Sequence, residues 1–237
     1  MKAKFFCLIV LLISNLAYSA DKTIGVFVAL ADNASQGIVK VPKEIGNGDD
    51  PEKNLYWGTA DGLKGVFDKS SDWKLSENSD KPVDNDILRT RTYKNTSKGA
   101  ILIAKAYKGT SIKKCIQDYE LALQQGTYDL VVYIGHNGLM DFDLPIPSKT
   151  EKNSKVSDCI VLCCKSNQYF KNRITAGGGN PILLTQQLMY PGAFILHAVA
   201  ESWLNGKKPK EIRESAGAAY AANQKISVKA GIGIFAE

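Results

Sequence analysis

Leu130-Val131-Val132-Tyr133-Ile134 runs into Gly135-His136-Asn137-Gly138, and one loop later Cys159-Ile160-Val161-Leu162-Cys163-Cys164 runs into Lys165-Ser166. Each apolar run is short, unbroken and rich in Val, Ile and Leu. A strand covered on both faces in a parallel sheet reads this way, because the alternation with polar residues is lost. Open parallel sheets bind their ligands just beyond the carboxyl ends of the strands. A histidine and a cysteine at two such ends are therefore candidates for a nucleophile–base pair.

Outward from this pair, apolar runs keep alternating with amphipathic stretches. Residues 23–31 (TIGVFVALA) read as the first buried strand, followed by a polar loop over 32–54. Residues 55–67 have helical spacing, with Leu55, Leu63, Val66 and Phe67 on one stripe. The stretch 68–99 is polar and turn-rich, with one short strand expected within 84–93. Residues 100–107 read as the next strand, and 111–125 as a helix with Ser111 as its N-cap and Gly126 as its stop. Beyond Cys164 the pattern predicts a short helix at 168–170, a strand at 182–185 and helices at 190–205 and 210–225. A final edge strand is expected within 226–235. This order predicts an α/β protein, a three-layer α/β/α sandwich with a mainly parallel sheet. Residues 21–237 show no repeat and no dividing linker, and read as one domain.

The first twenty residues read as a signal peptide. Lys2 and Lys4 precede an apolar core over residues 5–13, and Ala17-Tyr18-Ser19-Ala20 offers cleavage after Ser19 or Ala20. That core is too short for a bilayer, which takes about 20 apolar residues. Cys7 sits inside it, where lipidation is not expected. The mature chain is thus expected in the periplasm or secreted, with no stable membrane anchor. Its formal charge falls from +6 to about +4, and the remaining lysines are scattered, as in Lys207-Lys208-Pro209-Lys210. No basic–aromatic motif accompanies them, so nucleic acid is not an expected partner. Cys115, Cys159, Cys163 and Cys164 remain. Disulfides are open to an exported chain, but Cys159 and Cys163 read as small buried hydrophobes. No spacing suits zinc, and no metal or cofactor is expected.

The two strand ends resemble the caspase–haemoglobinase clan of cysteine peptidases, which includes caspases, legumains, clostripain and gingipains. In that clan one hydrophobic strand ends in His-Gly and the next ends in a small residue followed by the nucleophilic cysteine. The resemblance puts Cys164 in the nucleophile's position, Cys163 in that of the small residue, and His136 in that of the acid/base. It implies a peptide or protein substrate, and an oxyanion held by backbone N–H groups after the histidine and at the cysteine. Here Asn137 stands between His136 and Gly138, so the first donor is Asn137 or Gly138 and the second is Cys164. The start of the helix after Cys164, with Lys165, would favour a thiolate. A catalytically inactive member of this fold and a flavodoxin-like binding or interaction module remain the alternatives.

Other residues invite blander readings. His197 reads as a core or helix-surface histidine, with Glu201 one turn on and within reach. Asp49 and Asp50, in Gly46-Asn47-Gly48-Asp49-Asp50, supply too few oxygens for calcium and read as a turn. Gly177-Gly178-Gly179 reads as a loop near the cleft. Tyr56, Trp57 and Trp203 are expected to be core or cleft-wall aromatics.

Overall fold

In the computed structural model, which describes residues 21–149 and 155–237, seven strands form one mixed sheet. The expected signal peptide lies outside the described residues. In chain order the strands are β1 (Lys22–Ala29), β2 (Lys74–Ser79), β3 (Ile87–Asn95), β4 (Ala100–Tyr107), β5 (Leu130–Ile134), β6 (Asp158–Leu162) and β7 (Asn180–Leu183). The spatial order is β2-β3-β4-β1-β5-β6-β7. From β4 to β7 every neighbouring pair is parallel, whereas β2 and β3 are antiparallel additions. The apolar runs that end at His136 and Cys164 are thus neighbours in register, with Leu130 opposite Asp158 and Ile134 opposite Leu162.

Successive side chains on a strand point to opposite faces, and this period divides the core. Ile24, Val26, Leu130, Val132, Ile160 and Leu162 join one cluster, with side chains of α1 (Leu63–Phe67), α4 (Ala193–Leu204) and α5 (Pro209–Gln224). Phe27, Val131, Tyr133, Cys159 and Val161 join the other, with side chains of α2 (Ile112–Gln125) and α3 (Ser166–Ala176). Both faces of the central strands are therefore buried, which is why their sequence carries no polar alternation.

Several elements differ from the sequence reading. The helix expected over 55–67 shrinks to Leu63–Phe67. The Asn54 side chain instead accepts from Ala31 N–H at 3.0 Å and donates to Ala31 O at 2.8 Å, which fixes the preceding chain as turns. The polar stretch holds a full hairpin, β2 and β3, where one short strand was expected. β2 (KLSENS) is an exposed edge strand with no apolar alternation to betray it. Helix α2 ends on Gly126 in the left-handed conformation, φ 57°. Ser111 stands at its N-cap position as expected but makes no side-chain cap hydrogen bond; its hydroxyl donates to Asp86 at 2.6 Å. The short helix at 168–170 is part of α3, eleven residues long. The expected edge strand over 226–235 is mostly α6 (Val228–Ile232), opened by the Ser227 hydroxyl accepting from Ala230 N–H. Only an antiparallel bridge from Phe235 to Thr185 keeps any strand character there.

Candidate active site

His136 stands just beyond the carboxyl end of β5, and the backbone there leaves its place in the sheet through Gly135. That residue has φ 155°, and a Cβ on it would lie 2.9 Å from Ala29 O, so a side chain would obstruct the exit. The His136 carbonyl is then fixed by two donors, Tyr133 Oη at 2.7 Å and Gly138 N–H at 3.1 Å. Its side chain is 7% exposed, and Nε2 lies 2.7 Å from Asp141 Oδ2. The same carboxylate oxygen accepts from Gly37 N–H at 3.1 Å, so Asp141 joins the histidine to the loop after β1. Asp141 has no counterpart in the sequence reading; nothing sets it apart from Asp143 except the fold.

Cys164 stands beyond the carboxyl end of β6. The strand period sends Cys163 into the core with Val161, fully buried, and leaves Cys164 half-buried at the cleft. The turn into α3 passes through Lys165 in the left-handed region, φ 51°, a conformation that costs a non-glycine residue about 1 kcal/mol or more. Hydrogen bonds hold it there. Lys165 N–H donates to Gln187 O at 2.9 Å, and Ser166 Oγ donates to Val161 O at 2.8 Å while accepting from Thr185 N–H at 2.8 Å. The first two N–H groups of α3, at Ser166 and Asn167, are taken by Thr185 Oγ1 and Thr185 O. Both donors are thus occupied and leave no open N–H of that pair for a Cys164 thiolate.

A cleft of about 530 Å³ contains both candidate residues. Its walls come from the loop after β1 (Ile38, Val39), from Tyr56, and from the segment after β7 (Leu188, Met189, Tyr190). Among the described residues no hydrogen bond joins Cys164 Sγ to the imidazole. The sulfur accepts from Met189 N–H at 3.4 Å and donates toward Met189 O at 3.6 Å. Of the expected oxyanion donors, Gly138 N–H is engaged by His136 O, while no described group accepts from the backbone N–H of Asn137 or Cys164. The Asn137 side chain is fully buried; its Nδ2 donates to Cys164 O at 2.7 Å and its Oδ1 accepts from Leu139 N–H at 3.2 Å.

One further clamp frames the site. The Arg173 guanidinium pairs with both Glu120 oxygens, at 2.6 and 2.9 Å, and also donates to Leu144 O and Pro145 O. It thereby ties α3, which follows Cys164, to the loop that carries Asp141. All four described cysteines are free thiols. Burial pushes the Cys115 and Cys163 thiols well up and Cys159 up to about 12.

The remaining candidates lie elsewhere. Gly177-Gly178-Gly179, expected beside the cleft, joins α3 to β7 at the opposite edge of the sheet, where Asn180 pairs with Asp158 at the start of β6. Trp203 is buried at that edge too, donating to Asp158 at 2.8 Å, and Trp57 is in the core. His197 bonds Ser70 Oγ at 2.8 Å and packs on Phe67, while Glu201 pairs with Lys98 instead. Asp49 pairs with Lys108. A second cavity of about 400 Å³ beside β7 includes Lys171, Lys210 and Arg213 but neither Cys164 nor His136. Compared with protein-family models, curated proteins and solved structures, the chain matches none.

Proposed function

We propose that this chain is a caspase-like cysteine hydrolase acting on peptide bonds, with Cys164 as nucleophile and His136 as acid/base. One observation carries the reading: Cys164 and His136 follow adjacent parallel strands and open into one cleft. In this reading the helices on both sheet faces form the outer layers of a three-layer α/β/α sandwich of the caspase–haemoglobinase type.

With Nε2–H donated to Asp141, His136 Nδ1 keeps the lone pair a base needs. The imidazole takes the Cys164 proton, and the thiolate attacks the scissile carbonyl carbon. Met189 N–H is a contact that the thiolate keeps, whereas the S–H donation to Met189 O ends with ionisation. The oxyanion is held by the N–H groups of Asn137 and Cys164, the free donors of the three expected. His136 then gives its proton to the leaving amine as the C–N bond breaks. Water, giving a proton to His136, attacks the thioester carbonyl carbon; the C–S bond breaks, the acyl product leaves as a carboxylic acid, and His136 returns the proton to Cys164 Sγ.

The direct engagement of Sγ by Met189, with no bond to the imidazole, favours a second reading, an inactive peptide-binding module on the same scaffold. A mass-spectrometric search for cleaved bonds in a mixed peptide pool separates the two. Cleavage by the wild type that disappears in both Cys164→Ala and His136→Ala supports the hydrolase. Cleavage that survives Cys164→Ala, or none at all, overturns it.

The export reading joins this proposal, on Lys2, Lys4 and the apolar run after them. A mature N-terminus at Ala20 or Asp21 is the expected product of secretion.

A further inference from the structure

We propose that the cleft beside Cys164 accepts an uncharged apolar side chain, so that the bond cut is one whose acyl side carries Leu, Met, Phe or Tyr. The inference rests on the peptidase reading but concerns the cleft rather than the reaction.

None of the sixteen residues around the cleft is Asp, Glu, Lys or Arg. The caspase-like resemblance does not anticipate this, since it fixes the nucleophile and the base and leaves the walls to loops. Three exposed apolar side chains come to the rim from three separate segments: Val39 at 90% exposure, Leu188 at 65% and Met140 at 42%. Large apolar groups held in water at one opening mark a surface built to be covered. Deeper in, Tyr56 and Tyr220 are buried, and Tyr220 Oη accepts from Tyr190 N–H at 3.2 Å. Burial pushes the Tyr56 and Tyr190 phenols up, which keeps these walls neutral. The nearest carboxylate of the catalytic group, Asp141, is engaged with His136 and Gly37 and is not among the lining residues.

A charged side chain entering such a pocket loses its water and finds no counter-ion among the lining residues, since the nearby carboxylates are engaged, Asp61 with Tyr190 and Asp141 with His136 and Gly37, whereas an apolar one gains from leaving water. The occupant that fits is therefore an extended peptide presenting an apolar residue next to the bond to be broken. A volume of about 530 Å³ admits a Phe or Tyr side chain together with its backbone.

The test uses end-capped peptides differing only at one position, Leu, Asp or Arg. Binding is measured by calorimetry on the full chain carrying Cys164→Ala, and cleavage on the wild type. The Leu peptide is expected to bind about 10–100-fold more tightly than either charged one, the range set by a mismatched pocket. Leu188→Asp, on an exposed position that the fold tolerates, should abolish that preference and improve the Arg peptide. If the preference holds in binding while the wild type cleaves nothing, the hydrolase reading fails and the apolar selectivity of the cleft stands. Equal or tighter binding of a charged peptide overturns it. So does a self-association broken by Leu188→Asp with no peptide bound, which would make the rim a contact between two copies of the chain.

Discussion

The Asn137 side-chain amide donates to the Cys164 carbonyl at 2.7 Å, so the residue that interrupts the His-Gly pattern is the strut between the two strand ends. Its Oδ1 holds Leu139 N–H at the same time. A glycine directly after the histidine, as in the family that the motif resembles, would leave both groups without these partners. The departure in sequence thus has a structural use, since it fixes the spacing of the loops that carry His136 and Cys164.

Asn137→Ala should therefore lower stability by about 1–3 kcal/mol, because the Cys164 carbonyl loses its amide donor and Leu139 N–H its acceptor. Asn137→Asp should be at least as damaging at neutral pH, because a carboxylate oxygen would face the Cys164 carbonyl. Urea unfolding of the three proteins checks both. A loss below about 0.5 kcal/mol in each would show that water or a shifted loop replaces the strut.

Asp141 makes a different prediction, because it orients His136 rather than holding the core. Asp141→Ala should reduce kcat for Cys164-dependent cleavage by up to about 100-fold, the lower end of what acid–base catalysis contributes. The carboxylate is partly exposed, so the unfolding midpoint should hardly move. Asp141→Asn still offers an oxygen to His136 Nε2–H and to Gly37 N–H, and should fall between. A fall in kcat that tracks a fall in stability would assign Asp141 a structural role only.

The buried Arg173–Glu120 pair predicts large stability effects. Removing one partner leaves the other's charge in the core, which costs about 3–5 kcal/mol. Arg173→Met also leaves Leu144 O and Pro145 O without their donor, so it should exceed Glu120→Gln. The double variant should lose less than the sum of the two, because no lone charge remains. Denaturant midpoints for the four proteins measure the coupling directly.

How much of this was legible follows from what each residue's neighbours are. β5 and β6 could be read because burial on both faces leaves an unbroken apolar run, and their ends located His136 and Cys164. Asp141 could not, because its role depends on a loop folding back to Gly37, and a lone Asp in a polar segment has no local mark. The helix over 55–67 was over-read because Asn54 spends its side chain on Ala31, a long-range bond invisible to periodicity. The hairpin strand β2 was missed because an exposed edge strand needs no apolar face. The triple glycine was misplaced because α3 carries the chain back across the sheet, away from the strand ends.

Thiol reactivity gives the third site test. Under native conditions iodoacetamide should modify Cys164 and spare Cys115, Cys159 and Cys163, which are fully buried. The reactive species is the thiolate, and burial holds Cys159 up at about 12. Raising the pH from 7 to 9 should therefore not recruit Cys115, Cys159 or Cys163, whose thiols burial holds up. Peptide mapping across Cys115 to Cys164 reads the result, and modification of Cys163 at a comparable rate would show that the β6 end opens in solution.

His197 predicts a component of the acid sensitivity. Its folded pKa lies below the ordinary value of 6.5, chiefly because burial disfavours the imidazolium, with Asp72 and Glu201 opposing that effect. Above 6.5 the ring is neutral in both states and contributes no pH dependence. As the pH falls below 6.5 the unfolded chain binds the proton first, so stability declines with it until the folded ring also titrates. His197→Gln can keep a hydrogen bond to Ser70 but has no proton to take up. Its urea midpoint should fall less steeply than the wild type's between pH 6.5 and 5, while the two curves run parallel from pH 7 to 8. Parallel curves throughout would mean that His197 is protonated equally in both states, and the acid loss would then belong to the carboxylates.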